Sequence, residues 1–224
     1  MGLSSSEIAG RIDHTLLRAD AREAEIRKLC QQAKKYGFKA VCVQPCHVEL
    51  CVKELLDSGV DVVAVVGFPL GSNCPEVKAY EAKKAFAQGA REVDMVMNIG
   101  ALKDGKLEKV YEDIHGVVEI SSFHAETLVK VIIETALLTN AEKVLACETA
   151  VQAGAQYVKT STGFGGSGAT VEDIRLMVKA VDGEAKIKAS GGIKTRQHAE
   201  MMLAAGADRL GTSSGVTIVA EGDN

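Results

Sequence analysis

The sequence predicts an α/β fold, a (β/α)8 barrel in a single domain over residues 1–224. Three observations predict it. Short apolar runs of the β type alternate with amphipathic helical patterns, glycines end most of the helical patterns, and polar residues recur near the ends of the apolar runs. Alternating strands and helices indicate a parallel sheet covered by helices. A chain of 224 residues is near the lower limit for eight such units.

Eight apolar runs are predicted as strands. They are residues 12–16, 40–43, 62–66, 92–97, 128–134, 156–159, 185–189 and 208–211. A glycine of the kind that ends a helix in the left-handed conformation precedes six of them. These glycines are Gly37, Gly59, Gly89, Gly154, Gly183 and Gly206. The repeated order of helix, glycine and strand predicts one unit repeated along the chain.

Helical patterns fill the segments between the strands. Apolar residues at i, i+3 and i+4 spacing predict helices over residues 21–36, 75–88, 107–121, 141–153 and 171–181. A further helix is predicted to open at Thr195. Each helix has one apolar face, which can cover the outside of a sheet.

The position of the polar residues favours a closed barrel over an open doubly wound sheet. An open sheet builds its site at one switch point, whereas a barrel builds it from the carboxyl ends of many strands. We expect the following residues at those ends: Asp13, Gln44, Asp94, Asn98, Lys130, Glu134, Lys159, Lys188 and Ser213.

Composition excludes several classes of function. The formal net charge is −4 and no dense basic run occurs, so the sequence lacks the electrostatic signature of nucleic-acid binding. The apolar stretches are too short to span a bilayer and the N-terminus has no signal-peptide core, which predicts a cytoplasmic protein without a membrane partner. Cys42, Cys46, His47 and Cys51 match no zinc spacing, so we expect reduced thiols and no metal site.

Two lysines stand where an apolar run gives way to small residues and glycine. Lys159 precedes residues 160–163 (TSTG), and Lys188 precedes residues 189–192 (ASGG). If their strands are neighbours, the two ammonium groups meet in one pocket. A second cation and burial both lower the pKa of an amine, and a neutral amine is the nucleophile that forms a Schiff base. Local context leaves open which of the two lysines reacts.

Three glycine-rich loops predict a phosphate pocket. They are residues 163–168, the Gly191-Gly192 pair before a helix, and residues 211–215. Backbone N–H groups at such loops bind anions, and barrels commonly hold phosphate after strands seven and eight. The first loop also matches GxGxxG. A dinucleotide fingerprint follows the first strand of its domain, however, and this loop follows the sixth, so we favour a phosphate over a nucleotide.

Motifs spread over nearly the whole chain resemble those of deoxyribose-phosphate aldolase, a family of class I, Schiff-base aldolases. Eight such blocks in one order are far more specific than any single motif. The blocks are residues 12–17 (IDHTLL), 41–45 (VCVQP), 67–71 (GFPLG), 92–98 (EVDMVMN), 129–135 (VKVIIET), 158–164 (VKTSTGF), 188–193 (KASGGI) and 211–214 (GTSS).

The resemblance implies reversible cleavage of 2-deoxy-D-ribose 5-phosphate into acetaldehyde and D-glyceraldehyde 3-phosphate, with no cofactor. It implies that Lys159 forms the imine, that Lys188 lowers the pKa of that amine, and that Asp94 works with Lys188 in proton transfer. The partner implied is a small sugar phosphate, and the chain is expected to form a homo-oligomer, a dimer or a tetramer. The substrate-binding positions implied are Asp13, Thr15, Lys130, Thr160, Gly163, Gly191, Gly192, Lys194, Gly211, Ser213 and Ser214.

Two departures from the family pattern bear on binding. Gln44 stands where many relatives carry asparagine, and Lys194 where an arginine is usual. Lysine offers phosphate a point charge in place of a bidentate fork. The sequence leaves two alternatives open: another barrel aldolase or isomerase that acts on a different sugar phosphate, and an inert barrel that only binds one.

Overall fold

The computed structural model describes residues 3–221, and the predicted domain limits at residues 1–2 and 222–224 lie outside that range. Eight parallel strands close into a barrel in chain order, and the first strand pairs with both the second and the eighth. This closure confirms the predicted barrel and rules out the open sheet. The strands are β1 (Ile12–Leu16), β2 (Ala40–Val43), β3 (Asp61–Val66), β4 (Glu92–Val96), β5 (Leu128–Ile132), β6 (Tyr157–Lys159), β7 (Lys186–Ser190) and β8 (Arg209–Thr212).

The predicted long helices are present, with ends that differ by two residues at most. The two five-residue helices Ser5–Ala9 and Ile99–Lys103 were not predicted, because five residues are too few to show an amphipathic repeat. The helices are α1 (Ser5–Ala9), α2 (Glu23–Tyr36), α3 (Val48–Glu54), α4 (Pro75–Ala87), α5 (Ile99–Lys103), α6 (Leu107–Ser122), α7 (Asn140–Gln152), α8 (Val171–Val181), α9 (Arg196–Ala204) and α10 (Gly215–Ala220). Within residues 3–221, no helix has both the length and the apolar composition that crossing a bilayer requires.

Side chains alternate between the two faces of the barrel wall. In β4, Val93 and Met95 point outward into the main apolar core between the barrel and the helices. Their neighbours Glu92 and Asp94 are buried but do not belong to that core. Because successive residues of a strand face opposite sides, the residues that cannot join the outer core fill the barrel interior.

A buried ion pair outside the barrel fixes the carboxyl end of β4. Lys78 of α4 is fully buried, and its Nζ lies 2.6 Å from Asp113 Oδ2 and 2.8 Å from the Val96 carbonyl oxygen. Asp113 of α6 also accepts a hydrogen bond of 3.0 Å from the N–H of Asn98. One charged contact therefore joins helices α4 and α6 to the carboxyl end of β4. Its contact at Val96 lies two residues beyond Asp94 of the same strand.

We expect Lys78→Met to lower the free energy of unfolding by about 3–5 kcal/mol, because it leaves the Asp113 carboxylate buried without its counter-ion. Urea denaturation measures the loss. The matched control is the double variant K78M/D113N, which removes both charges and should recover part of the lost stability. A double variant less stable than K78M, or a K78M protein as stable as the parent, would contradict this view of the pair.

Candidate active site

The inside of the barrel holds a network of seven charged side chains, which we call the interior network. It consists of Asp13, Glu92, Asp94, Lys130, Lys159, Lys188 and Arg209. None of these side chains is more than 6% exposed. They come from six strands, so the barrel wall itself determines their spacing.

The prediction that the polar residues lie at strand ends is wrong for four of them. Asp13, Asp94, Lys130 and Lys188 lie within their strands, and Lys159 is the last residue of β6. The physical reason is that a barrel strand presents inward-facing positions along its whole length, not only at its end. The site therefore reaches down into the barrel and is not confined to its rim.

Asp94 is the centre of the interior network. Its Oδ2 lies 2.7 Å from Lys159 Nζ and 2.7 Å from Lys188 Nζ, and its Oδ1 lies 3.0 Å from Lys130 Nζ. The two lysines singled out in the sequence thus share one carboxylate oxygen. Their strands β6 and β7 are adjacent, with Lys159 paired to Lys188 in register, which confirms that the two ammonium groups meet.

A second group of contacts lies below Asp94, toward the amino ends of the strands. Arg209 Nε donates to Asp13 Oδ1 at 2.9 Å, and its Nη2 donates to Glu92 Oε2 at 3.1 Å. Asp13 also accepts from Lys188, and Glu92 forms an ion pair with Lys130. Sequence reasoning missed Glu92 and Arg209. The available signal was that each is a charged residue at the start of an apolar strand. Glu92 also precedes Asp94 by two residues, which places both on the same face of β4.

The network keeps the carboxylates of Asp13 and Asp94 ionised and the amine of Lys188 charged. Burial alone raises the pKa of Asp94, but Lys130, Lys159 and Lys188 hold that pKa well below its usual value. Burial also opposes the ionisation of Asp13, and Lys188 and Arg209 again lower its pKa overall. For Lys188 burial lowers the pKa, yet Asp13 and Asp94 outweigh it and the pKa is raised. Lys188 is therefore a cation beside the shared oxygen.

The thiol of Cys42 lies at the edge of the network without joining its ion pairs. Burial, followed by the charge of Asp94, raises the pKa of Cys42 to about 11. Of the two other cysteines in that stretch, Cys51 is buried and Cys46 is exposed, and neither lines the cavity. Among residues 3–221, no group of three or more histidine, cysteine or acidic side chains is arranged to hold a metal ion.

The three lysines differ in how well their charges are matched. Lys188 contacts the carboxylates of Asp13 and Asp94, and Lys130 lies within 4 Å of three carboxylates. Lys159 contacts one carboxylate among the described residues, that of Asp94. It is also 3% exposed, while Lys130 and Lys188 are fully buried.

A cavity of about 370 Å³ opens above Lys159 at the carboxyl ends of β1, β6, β7 and β8. Lys159 is the only member of the interior network that lines it. Eight predicted site residues line the cavity: Thr15, Lys159, Gly163, Gly191, Gly192, Lys194, Gly211 and Ser213. Sequence reasoning missed Leu16, Leu17, Arg18, Thr162, Phe164, Ser190, Ile193 and Thr212, whose types carry no signal for such a place.

The remaining predicted residues do not line this cavity, and their substrate-binding roles stay predictions. Asp13, Lys130 and Thr160 are fully buried and do not line the cavity. Thr160 is held by Ser190, whose N–H donates to its hydroxyl at 3.0 Å. Ser214 is not among the lining residues either, and its N–H donates to Thr212 Oγ1. Asp94 and Lys188 do not line the cavity either, but both lie next to the Lys159 amine, on the shared carboxylate oxygen.

The glycine-rich loops at the cavity are packed closely against each other. A Cβ on Gly168 would lie 2.0 Å from the carbonyl oxygen of Gly191, so this glycine of the GxGxxG match is explained by contact between two loops. The backbone N–H groups of Gly163, Gly192 and Ser213 donate to no other residue in the described part of the chain. They are thus available to an anion in the cavity.

Glu134, two residues after β5, fixes the loop that follows Lys159. Its buried carboxylate accepts hydrogen bonds from the N–H and the hydroxyl of Thr162, and Thr162 Oγ1 accepts from the Phe164 N–H at 3.0 Å. Phe164 then meets Phe68 edge to face, with ring centroids 5.4 Å apart.

The departure from the family pattern at Gln44 has a local role, since its side-chain amide donates to the Leu17 carbonyl at 3.1 Å.

The chain is similar to known aldolases over almost its full length. The model of the DeoC/LacD family aldolases matches residues 8–220. A deoxyribose-phosphate aldolase of Carboxydothermus hydrogenoformans is 57% identical over 218 residues, which is 97% of this chain and 96% of the relative. One of Geobacillus sp. (strain WCH70) is 56% identical over 214 residues, 96% of this chain and 95% of the relative.

A solved structure gives the same result for the fold. Deoxyribose phosphate aldolase from Aeropyrum pernix, described as a unique tetramer, superposes with a TM-score of 0.92 at 33% identity and covers 99% of this chain and 93% of its own. The chain therefore belongs to the DeoC/LacD family of aldolases, which confirms the resemblance found in its sequence.

Proposed function

We propose that this protein reversibly cleaves 2-deoxy-D-ribose 5-phosphate into acetaldehyde and D-glyceraldehyde 3-phosphate through an imine on Lys159. The observation that carries the proposal is the position of Lys159. Its amine lies at the floor of the cavity and contacts Asp94 Oδ2, the carboxylate oxygen that Lys188 also contacts. Relatives more than half identical over nearly the whole chain are deoxyribose-phosphate aldolases.

The charges of the interior network support Lys159 over Lys188 as the nucleophile. Four cations, Lys130, Lys159, Lys188 and Arg209, face the three carboxylates of Asp13, Glu92 and Asp94. Buried charge is most stable when it is matched, so the network favours the loss of one proton. Lys159 has the fewest ionic contacts and is the lysine that a substrate can reach.

The reaction divides into balanced steps on this amine. The Lys159 nitrogen adds to C1 of the open-chain sugar, and loss of water leaves a protonated imine. The C3 hydroxyl then gives up its proton, the C2–C3 bond breaks, and its electron pair moves toward the imine to form an enamine. D-Glyceraldehyde 3-phosphate leaves, C2 takes up a proton, and water hydrolyses the new imine to acetaldehyde and free Lys159.

Asp94 and Lys188 are placed to move the protons of these steps. The Asp94 carboxylate, kept ionised by three lysines, is an acceptor 2.7 Å from the reacting nitrogen. Lys188, whose pKa is raised, is a donor on the same oxygen. The pair can pass a proton to or from the substrate directly or through one water molecule. The carboxylate and the ammonium therefore have complementary roles.

The substrate phosphate is proposed to bind at the glycine-rich loops. The N–H groups of Gly163, Gly192 and Ser213, which have no partner within residues 3–221, lie on the cavity wall together with the Lys194 side chain. We also propose a cytoplasmic location, because all six cysteines are free thiols, as is usual in reducing compartments.

We propose a homo-oligomer as well, a dimer or a tetramer. Leu70 and Tyr80 are 72% and 67% exposed, and Phe123 is 75% exposed. Large exposed apolar side chains are common where copies of a chain associate. Light scattering of the purified protein gives the mass, and a monomer at working concentrations would contradict the assembly without affecting the chemistry.

Reductive trapping tests the imine. With acetaldehyde and borohydride we expect one ethyl group, located on Lys159 by peptide mapping, and no label in Lys159→Met. Lys188→Met serves as the matched control: it keeps the nucleophile, so it should still be labelled, but more slowly. A label on Lys188 in the parent protein, or equal labelling of several lysines, would contradict the assignment.

A product assay separates the proposal from its alternatives. Cleavage should yield acetaldehyde, and activity should survive EDTA because every step uses the side chains named above. An isomerase would consume the sugar phosphate without releasing acetaldehyde. A barrel that only binds would retain the sugar phosphate with no turnover.

Lys194 is expected to select the phosphorylated sugar. Lys194→Ala should raise KM for 2-deoxyribose 5-phosphate about tenfold, because one charge-assisted contact is lost, and leave kcat/KM for free 2-deoxyribose unchanged. The matched control Lys194→Arg keeps the charge and should keep KM within about twofold. An equal effect of Lys194→Ala on both sugars would show that the side chain does not contact the phosphate.

A further inference from the structure

Arg209 and Glu92 are buried charges that the mechanism above does not use. Each is the first residue of its strand, so both lie at the end of the barrel opposite the cavity. Arg209 is 5% exposed and Glu92 is 2% exposed, and neither lines the cavity. Burying a charge has a high free-energy cost, which stability alone seldom repays. Their place beneath the reacting groups calls for a functional reason.

Both residues are linked to the reacting groups through direct ionic contacts. Arg209 binds Asp13, and Asp13 binds Lys188, which shares Asp94 Oδ2 with Lys159. Glu92 binds Lys130, and Lys130 lies 3.0 Å from Asp94 Oδ1. Each path reaches Asp94 through one lysine. The two residues also contact each other, at 3.1 Å between Arg209 Nη2 and Glu92 Oε2.

The charged and titratable groups around Lys159 can be named strand by strand. They are Asp13 on β1, the Cys42 thiol on β2, Glu92 and Asp94 on β4, Lys130 on β5, Lys188 on β7 and Arg209 on β8. β3 contributes Val63 and Val65. Glu134 directs its carboxylate to Thr162, and Arg18 and Lys194 lie on the cavity wall. Among these groups, only the two arginines keep their charge at any working pH.

We infer that Arg209 and Glu92 are positioning residues that set, through charge, the pH at which Lys159 becomes reactive. The inference rests on the proposed function. The fixed positive charge of Arg209 favours the loss of a proton from the network, and the negative charge of Glu92 opposes it. A purely structural role makes no distinction between them, because removing either residue breaks the same Arg209–Glu92 contact.

The test compares the acidic limb of the pH profile of kcat/KM for cleavage in four variants. Arg209→Met removes a positive charge, so protons are held more tightly and the midpoint of the limb should rise by about 1 pH unit. Glu92→Gln removes a negative charge at nearly constant shape and should lower the midpoint by a similar amount. The double variant R209M/E92Q restores the charge difference and should return the midpoint close to the parent value.

Arg209→Lys is the charge-preserving control and should keep the parent midpoint even if the rate falls. Cyanoborohydride labelling of Lys159 with acetaldehyde, followed over the same pH range, should show the same shifts without depending on turnover. Midpoints that move in one direction in both single variants, or that stay fixed, overturn the inference. If Arg209→Met does not fold, Glu92→Gln decides alone, and a midpoint that is unchanged or raised overturns it.

In the same experiment, the parent protein tests the proposed function, and the variants test the role of Arg209 and Glu92. A parent protein that neither releases acetaldehyde nor labels at Lys159 refutes the proposed function. A parent protein that does both, with variants that fail to shift in opposite directions, refutes only the role of Arg209 and Glu92.

Discussion

The structure depends on burying seven ionisable side chains inside a barrel that apolar side chains would normally fill. Such burial is tolerated only if each charge meets its counter-charge, and this requirement determines the positions of the side chains. Asp94 meets it for three lysines at once, with both of its oxygens in use. The barrel wall provides the precision, because parallel strands hold Lys159 and Lys188 in fixed register.

The interior is divided into two unlike halves. Ala40 and Cys42 of β2 and Val63 and Val65 of β3 form a small apolar cluster with Leu17, while the other strands carry the charges. The glycine-rich loops complete the charged half on the side of β6 to β8. We propose that this division orients the substrate, with its phosphate at the loops and its reacting carbon at Lys159.

Much of this was predictable from sequence, since hydrophobic periodicity and helix-ending glycines reflect local physics. The eight strands, the helix Val171–Val181 and the meeting of Lys159 with Lys188 follow from such patterns. The depth of Asp13 and Lys130 inside the barrel could not be predicted from these patterns, because it depends on how far neighbouring strands are staggered when the barrel closes. Arg209 and Glu92 were missed for a related reason: their partners lie on other strands, over one hundred residues away in the case of this pair.

The central claim is that one amine of the interior network is uncharged in the reactive enzyme and that it belongs to Lys159. Neutron diffraction from deuterated crystals, at a pH where activity is maximal, tests it most directly. The account predicts two deuterons on the Lys159 nitrogen, three each on Lys130 and Lys188, and none on the carboxylates of Asp13, Glu92 and Asp94. A fully deuterated Lys159 beside a neutral Lys188, or a deuteron on Asp94, would contradict it.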